Sequence, residues 1–166
     1  MQKYLHKNIK ELYPIKLIFT PSLFFYIIYC TDKYDQDLVV TYRRKVVLFR
    51  SYRKMKLYLK NNFPQIKPAR KCDKFCIFLC NKQIIQKKQT SATINVFILF
   101  FDIIKTLKMQ SLYVVPIEEL YKFADYATFH HDFRHFFDTH PNVTPQKLVA
   151  FVDWAAGVLI ENSHIK

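Results

Sequence analysis

The sequence predicts an α+β fold: a small antiparallel sheet with a packed basic helix, followed by an α-helical C-terminal subdomain. Three observations lead there. β-Branched and aromatic runs recur from Phe24 to Phe49 with polar breaks between them, a capped amphipathic stretch follows at Ser51, and the chain beyond Met109 shows helical spacing with a different composition.

The strands come first. "FFYIIYC", "LVVTY" and "VVLFR" are separated by the polar turn "TDKYDQD" and the break "RRK". Such runs fit a half-buried pleated surface. Of the 166 residues, 51% are apolar, which is enough burial to offset chain entropy and to predict a folded protein. That length holds one domain with a core, or a small domain with an appendage.

Next comes a helix from Tyr52 to about Asn62. Ser51 can cap its N-terminus, and Phe63-Pro64 ends it because the residue before proline avoids the helical region. At 100° per residue Tyr52, Met55, Leu59 and Phe63 share one face, with Arg53, Lys56 and Lys60 in a stripe beside it. Residues 64–93 read as a long connection enclosing one short buried element, "CIFL". Ile94 to about Lys108 is a further helix or strand.

The tail reads as three helices: Ile117 to about Ala127, Thr128 to about Thr139, and Thr144 to about Asn162. The last opens on an N-cap threonine with proline at the first helical position. Charge divides the chain in the same place: residues 1–108 hold 22 Lys and Arg against 6 Asp and Glu, whereas residues 109–166 hold 4 against 7. The predicted organisation is a basic α+β region over 1–108 and a mildly acidic helical subdomain over 109–166.

Two apolar runs test for membrane insertion. Leu17–Cys30 follows several lysines in the order of a signal sequence but lacks a small-residue cleavage site. It contains Pro21 and is short for a span, as is "INVFILFF". Both are predicted to be a buried strand or core helix, with membrane attachment through residues 17–30 disfavoured. Cys30, Cys72, Cys76 and Cys80 are too few and too clustered for a secreted disulfide framework, so the expected location is cytoplasmic and reducing.

Gly157 is the one glycine. A P-loop or Rossmann-type phosphate loop is therefore excluded, and positive-φ positions are expected to fall on Asn and Asp.

The functional signal is the location of charge. From Arg43 to Lys88 fifteen cations face one acid, Asp73. Arg43, Arg44 and Lys45 sit in a turn, Arg50 ends a strand, and Arg53, Lys56 and Lys60 lie on the helix, so the seven are expected to converge on one polyanion-binding surface. Tyr42, Tyr52 and Tyr58 lie among them as candidate stacking groups for unpaired bases. The expected function is non-enzymatic binding of nucleic acid, RNA or a nucleoprotein complex. The alternative is a small inhibitor or immunity-type protein of a mobile genetic element, docking on an acidic protein partner.

Two other clusters carry chemistry. "TFHHDFRHFFDTH" on a helix aligns His131, His135 and Asp138 at i, i+4 and i+7, a spacing able to hold Zn or Mn for a metal-dependent hydrolase. The general-base glutamate of H-E-x-x-H is absent. "CDKFCIFLC" spaces its thiols too widely for one zinc on a straight helix or strand, so buried free thiols are expected. No nucleophile motif and no cofactor motif is legible, which makes an enzyme the less favoured reading.

Overall fold

The computed structural model describes residues 8–88, 90–109, 117–130 and 133–166. It is an α+β protein with two compact units, one running up to Phe75 and taking back Glu161–Lys166, the other Cys76–Ile160. The units thus divide after Phe75, ahead of the compositional change near Met109.

The first unit is built on a sheet that has seven strands among the described residues. Its strands are β1 (Ile9–Ile18), β2 (Phe24–Asp32), β3 (Asp37–Val39), β4 (Thr41–Tyr42), β5 (Lys45–Phe49), β6 (Asp73–Cys76) and β7 (Ser163–Ile165). The order is β4-β5-β2-β1-β6, with β3 paired to β2 and β7 to β5. The apolar run Leu17–Cys30 is not a helix: it forms the end of β1, the turn after it and most of β2, in a hairpin with Leu17 opposite Phe25 and Leu12 opposite Cys30. β1 with β2, β2 with β3, β2 with β5 and β4 with β5 pair antiparallel, whereas β5 with β7 is parallel and sets Val46, Val47 and Leu48 against Ser163, His164 and Ile165.

The pleat sorts side chains onto two faces. Leu12, Ile28, Cys30, Val47 and Phe49 form one core with Met55, Tyr58 and Leu59 of helix α1 (Tyr52–Asn62) and with Phe63 at its C-cap. Ile15, Leu17, Ile27 and Leu48 lie on the other face and are also buried. α1 begins as its sequence dictates: Ser51 accepts a hydrogen bond from the Lys54 amide at 3.2 Å.

The second unit is helical, with α2 (Ile77–Ile85), α3 (Ser91–Leu107), α4 (Ile117–Phe129), α5 (Phe133–Thr139) and α6 (Pro145–Glu161, of which the unit takes the part up to Ile160). "INVFILFF" lies in α3, a helix capped by Thr90, which accepts from the Thr93 amide at 3.1 Å. α6 starts as expected, Thr144 accepting from the Lys147 amide. The core is aromatic: Phe123 places its ring 5.0 Å from those of Phe97 and Phe133 and 5.3 Å from that of Phe136. "CIFL" expands into α2, and the helix expected over Thr128–Thr139 is two pieces, since α4 runs on to Phe129 and α5 starts at Phe133.

Positive φ is where the sequence reading needs correction. Among the described residues it falls on Asp35, Arg43, Arg44, Lys87 and Lys108, one acid and four cations. Asp35 belongs to a turn in which Asp32 accepts from the amides of Tyr34 and Gln36, the local bonding that tolerates the left-handed region. The arginines have no such help. Gly157, meanwhile, sits inside α6 in open space, where no backbone freedom is required.

Among the described residues no helix is long and apolar enough to cross a membrane.

Candidate nucleic-acid interface

Tyr42 pairs with Lys45 across β4 and β5, so Arg43 and Arg44 are a two-residue hairpin loop. Their φ values of 51° and 64° are the pattern of a type I′ turn. That turn matches the strand twist but strongly prefers Asn and Gly, because a Cβ crowds the backbone there. Both arginines and Lys45 are exposed. Beside them Tyr42 carries the Arg43 guanidinium 5.4 Å from its ring centroid, the Lys166 ammonium also at 5.4 Å, and the His164 ring at 5.6 Å. β7 delivers His164 and Lys166 to this place through its parallel register with β5.

Arg50 is exposed at the far end of β5 from Lys45, about 16 Å away at 3.3 Å per residue. Arg53, Lys56 and Lys60 are exposed along α1 over about 10 Å. The seven cations therefore form two groups rather than one cluster: a hairpin tip, and a helix stripe entered through Arg50. Among the described residues no ion pair engages any of them.

The tyrosines separate too. Tyr58 is 9% exposed, its ring 5.2 Å from Phe49 and 6.3 Å from Phe63, with Lys166 over it at 4.5 Å. It was expected to stack on bases; instead it lies three residues from Met55, on the core side of α1, and is packing. Tyr52 leans on Tyr26 at 5.7 Å and lies beneath Lys56 at 4.8 Å. Lys16 sits 3.8 Å over Phe24, extending this cation and aromatic series along the sheet.

Past the C-terminal end of α1 the chain forms a surface groove of about 680 Å³ whose lining includes Lys56, Lys60, Phe63, Gln65, Ile66 and Lys67. Among the described residues no carboxylate lines it. Lys16, Lys67, His164 and Lys166 were missed in the sequence because each reaches its place through non-local pairing or an unpatterned loop.

The other clusters resolve differently. His131 lies outside the described residues; His135 and Asp138 are exposed on α5. His130 stacks on Tyr126 and His140 on Phe136, each at 4.3 Å, and His140 Nδ1 lies 3.0 Å from the Thr139 hydroxyl. Among the described residues no group of three His, Cys, Asp or Glu is placed to hold a metal.

All four cysteines are free, with Cys30 and Cys80 buried. Their thiols lie 3.5 Å from the Leu38 carbonyl and 3.7 Å from the Thr93 carbonyl, and donate to them. Burial pushes both thiols up to about 12. In the unfolded chain they ionise near 9, so between the two values the unfolded state binds fewer protons and stability falls as pH rises. The slope reaches about 1.4 kcal/mol per pH unit for each thiol. Urea unfolding at pH 8 and above pH 10 should therefore show a steeper alkaline loss in wild type than in the Cys30→Ala/Cys80→Ala variant. Parallel pH curves would rule this out.

These features define an α+β protein with a strand-and-helix surface rich in unpaired cations. The chain resembles the crystal structure of the SatS C-terminal domain in complex with bromine, with a TM-score of 0.60 and 12% identity over 93% of this chain and 94% of that one. At that identity the likeness shows the fold alone. No protein-family model matches the chain, and no curated protein does.

Proposed function

We propose that the sheet-containing unit binds nucleic acid without catalysing a reaction on it, through Arg43, Arg44 and Lys45 at the hairpin tip and Arg50, Arg53, Lys56 and Lys60 toward and along α1. The observation that carries this reading is the arginine pair in the left-handed turn. Each costs about 1–2 kcal/mol of backbone strain relative to residues suited to that region. Strain of this kind persists where the side chain is needed for something else.

Composition supports it. The chain uses Lys over Arg, 20 to 6, yet four of its six arginines fall between Arg43 and Arg53. A coding bias toward lysine does not place them there. Guanidinium groups grip phosphate oxygens in pairs, which a lysine cannot.

The test is binding of a labelled RNA duplex followed by anisotropy across a KCl series. With about six phosphate contacts the log-log slope is near −5, and Arg43→Gln/Arg44→Gln/Arg53→Gln should bring it to about −3. Failure to bind at low salt, or an unchanged slope in the variant, refutes the proposal.

A second reading, docking on an acidic protein in the manner of a small inhibitor, draws support from Leu57. This residue is 59% exposed in the middle of the cationic helix face. An interface anchored there would tolerate salt far better than phosphate tracking does.

A further inference from the structure

We propose that the groove beyond the C-terminal end of α1 holds an unpaired nucleotide, so that the chain prefers single-stranded nucleic acid to duplex; this rests on the nucleic-acid reading above. The groove combines two chemistries that seldom coincide on a surface. Pro64, Ile66 and Pro68 supply apolar surface above the buried Phe63 ring, while Lys56, Lys60 and Lys67 are exposed around it, with no carboxylate among the described lining residues. A ligand that satisfies both has an apolar body and negative charge attached to it.

On a protein that tracks phosphates, that ligand is a nucleotide whose base is free to leave the strand. Duplex bases are stacked and paired inside the helix and cannot enter. At about 680 Å³ the groove falls within the size range of small-ligand sites. Gln65, a neutral polar side chain in the lining, offers an amide donor and acceptor to a base edge.

The wall is set before binding. The Phe63 amide donates to the Leu59 carbonyl at 2.8 Å, Ile66 to Phe63 at 3.0 Å, and Ala69 to Leu12 of β1 at 2.8 Å. Pro64 and Pro68 fix two further φ angles in between. Little ordering is left for the ligand to drive, which favours affinity. The stacking tyrosines do not compete as base sites, since Tyr58 is buried and Tyr52 and Tyr42 are already covered by cations.

The experiment compares a labelled twelve-nucleotide uridine RNA with a twelve-base-pair RNA duplex at one salt concentration. Wild type is set against Lys67→Glu at an exposed site and Ile66→Asp in the apolar surface, with circular dichroism confirming the fold of each. Wild type should bind the single strand about ten-fold tighter, toward the lower end of what one base–protein contact contributes, and both variants should bring the ratio close to one while duplex binding persists. Equal affinity of wild type for both RNAs overturns the nucleotide inference and leaves the function standing, whereas absence of binding to either overturns both. Persistence of the preference in both variants moves the site elsewhere and overturns it as well.

Discussion

Replacing Phe123 by alanine should destabilise the helical unit by about 3–5 kcal/mol, the range for deleting a buried phenyl ring. Phe123 is fully buried, and its ring meets those of Phe97, Phe133, Phe136 and Phe137. It therefore joins α3 to α4 and α4 to α5. Four partners lose contact at once, and edge-to-face pairs such as Phe97 and Phe136 lose a directional attraction of about 0.5–1.5 kcal/mol each beyond area. α5 is only seven residues long, below the length at which a helix holds itself in water, so it depends on this packing. In urea, with m near 2 kcal/mol/M, the midpoint should fall by roughly 2 M. Phe129→Ala is the control: that ring is 74% exposed, and its loss should stay within about 0.5 kcal/mol. A Phe123→Ala loss below about 1.5 kcal/mol would mean that the cluster does not hold the unit together.

The parts of this architecture that were legible in the sequence are those written locally. α1 shows its cap at Ser51, its core face at Tyr52, Met55, Leu59 and Phe63, and its stop at Phe63-Pro64. α6 announces itself through Thr144-Pro145. β1 did not, because Pro14 interrupts it and Leu12, Pro14, Ile15 and Leu17 are all buried, so the strand serves both faces and loses its alternation. β7 is three residues held by β5, a partner more than a hundred positions away, and nothing within those three residues encodes that pairing.

The candidate site divides along the same line. That cations crowd Arg43–Lys60 is a property of the string. That they part into a tip and a stripe follows from the length of β5, and Tyr58 leaves the site because one helical turn from Met55 points to the core. The groove draws on residues 63–68, whose fold is fixed by hydrogen bonds to α1 and β1 rather than by any periodicity.

The hairpin tip offers the sharpest separation of stability from function. Arg43→Asn/Arg44→Gly places in the turn the two residues its φ values favour, and should raise stability by about 1–2 kcal/mol, less than the full strain because glycine also loosens the unfolded chain. On the proposed nucleic-acid reading the same change removes two phosphate contacts, so the salt slope for duplex RNA should become shallower by about 2 and affinity at fixed salt should fall. A substitution that strengthens the fold while weakening binding identifies residues retained for their charge. Arg43→Lys/Arg44→Lys keeps both charge and strain and should stay close to wild type in stability. If Asn-Gly weakens the fold, the arginines are holding the sheet edge through Tyr42, with which Arg43 makes its cation–π contact. If Asn-Gly strengthens the fold and leaves RNA binding untouched, the tip points away from the ligand, and the α1 stripe alone would have to carry the contact.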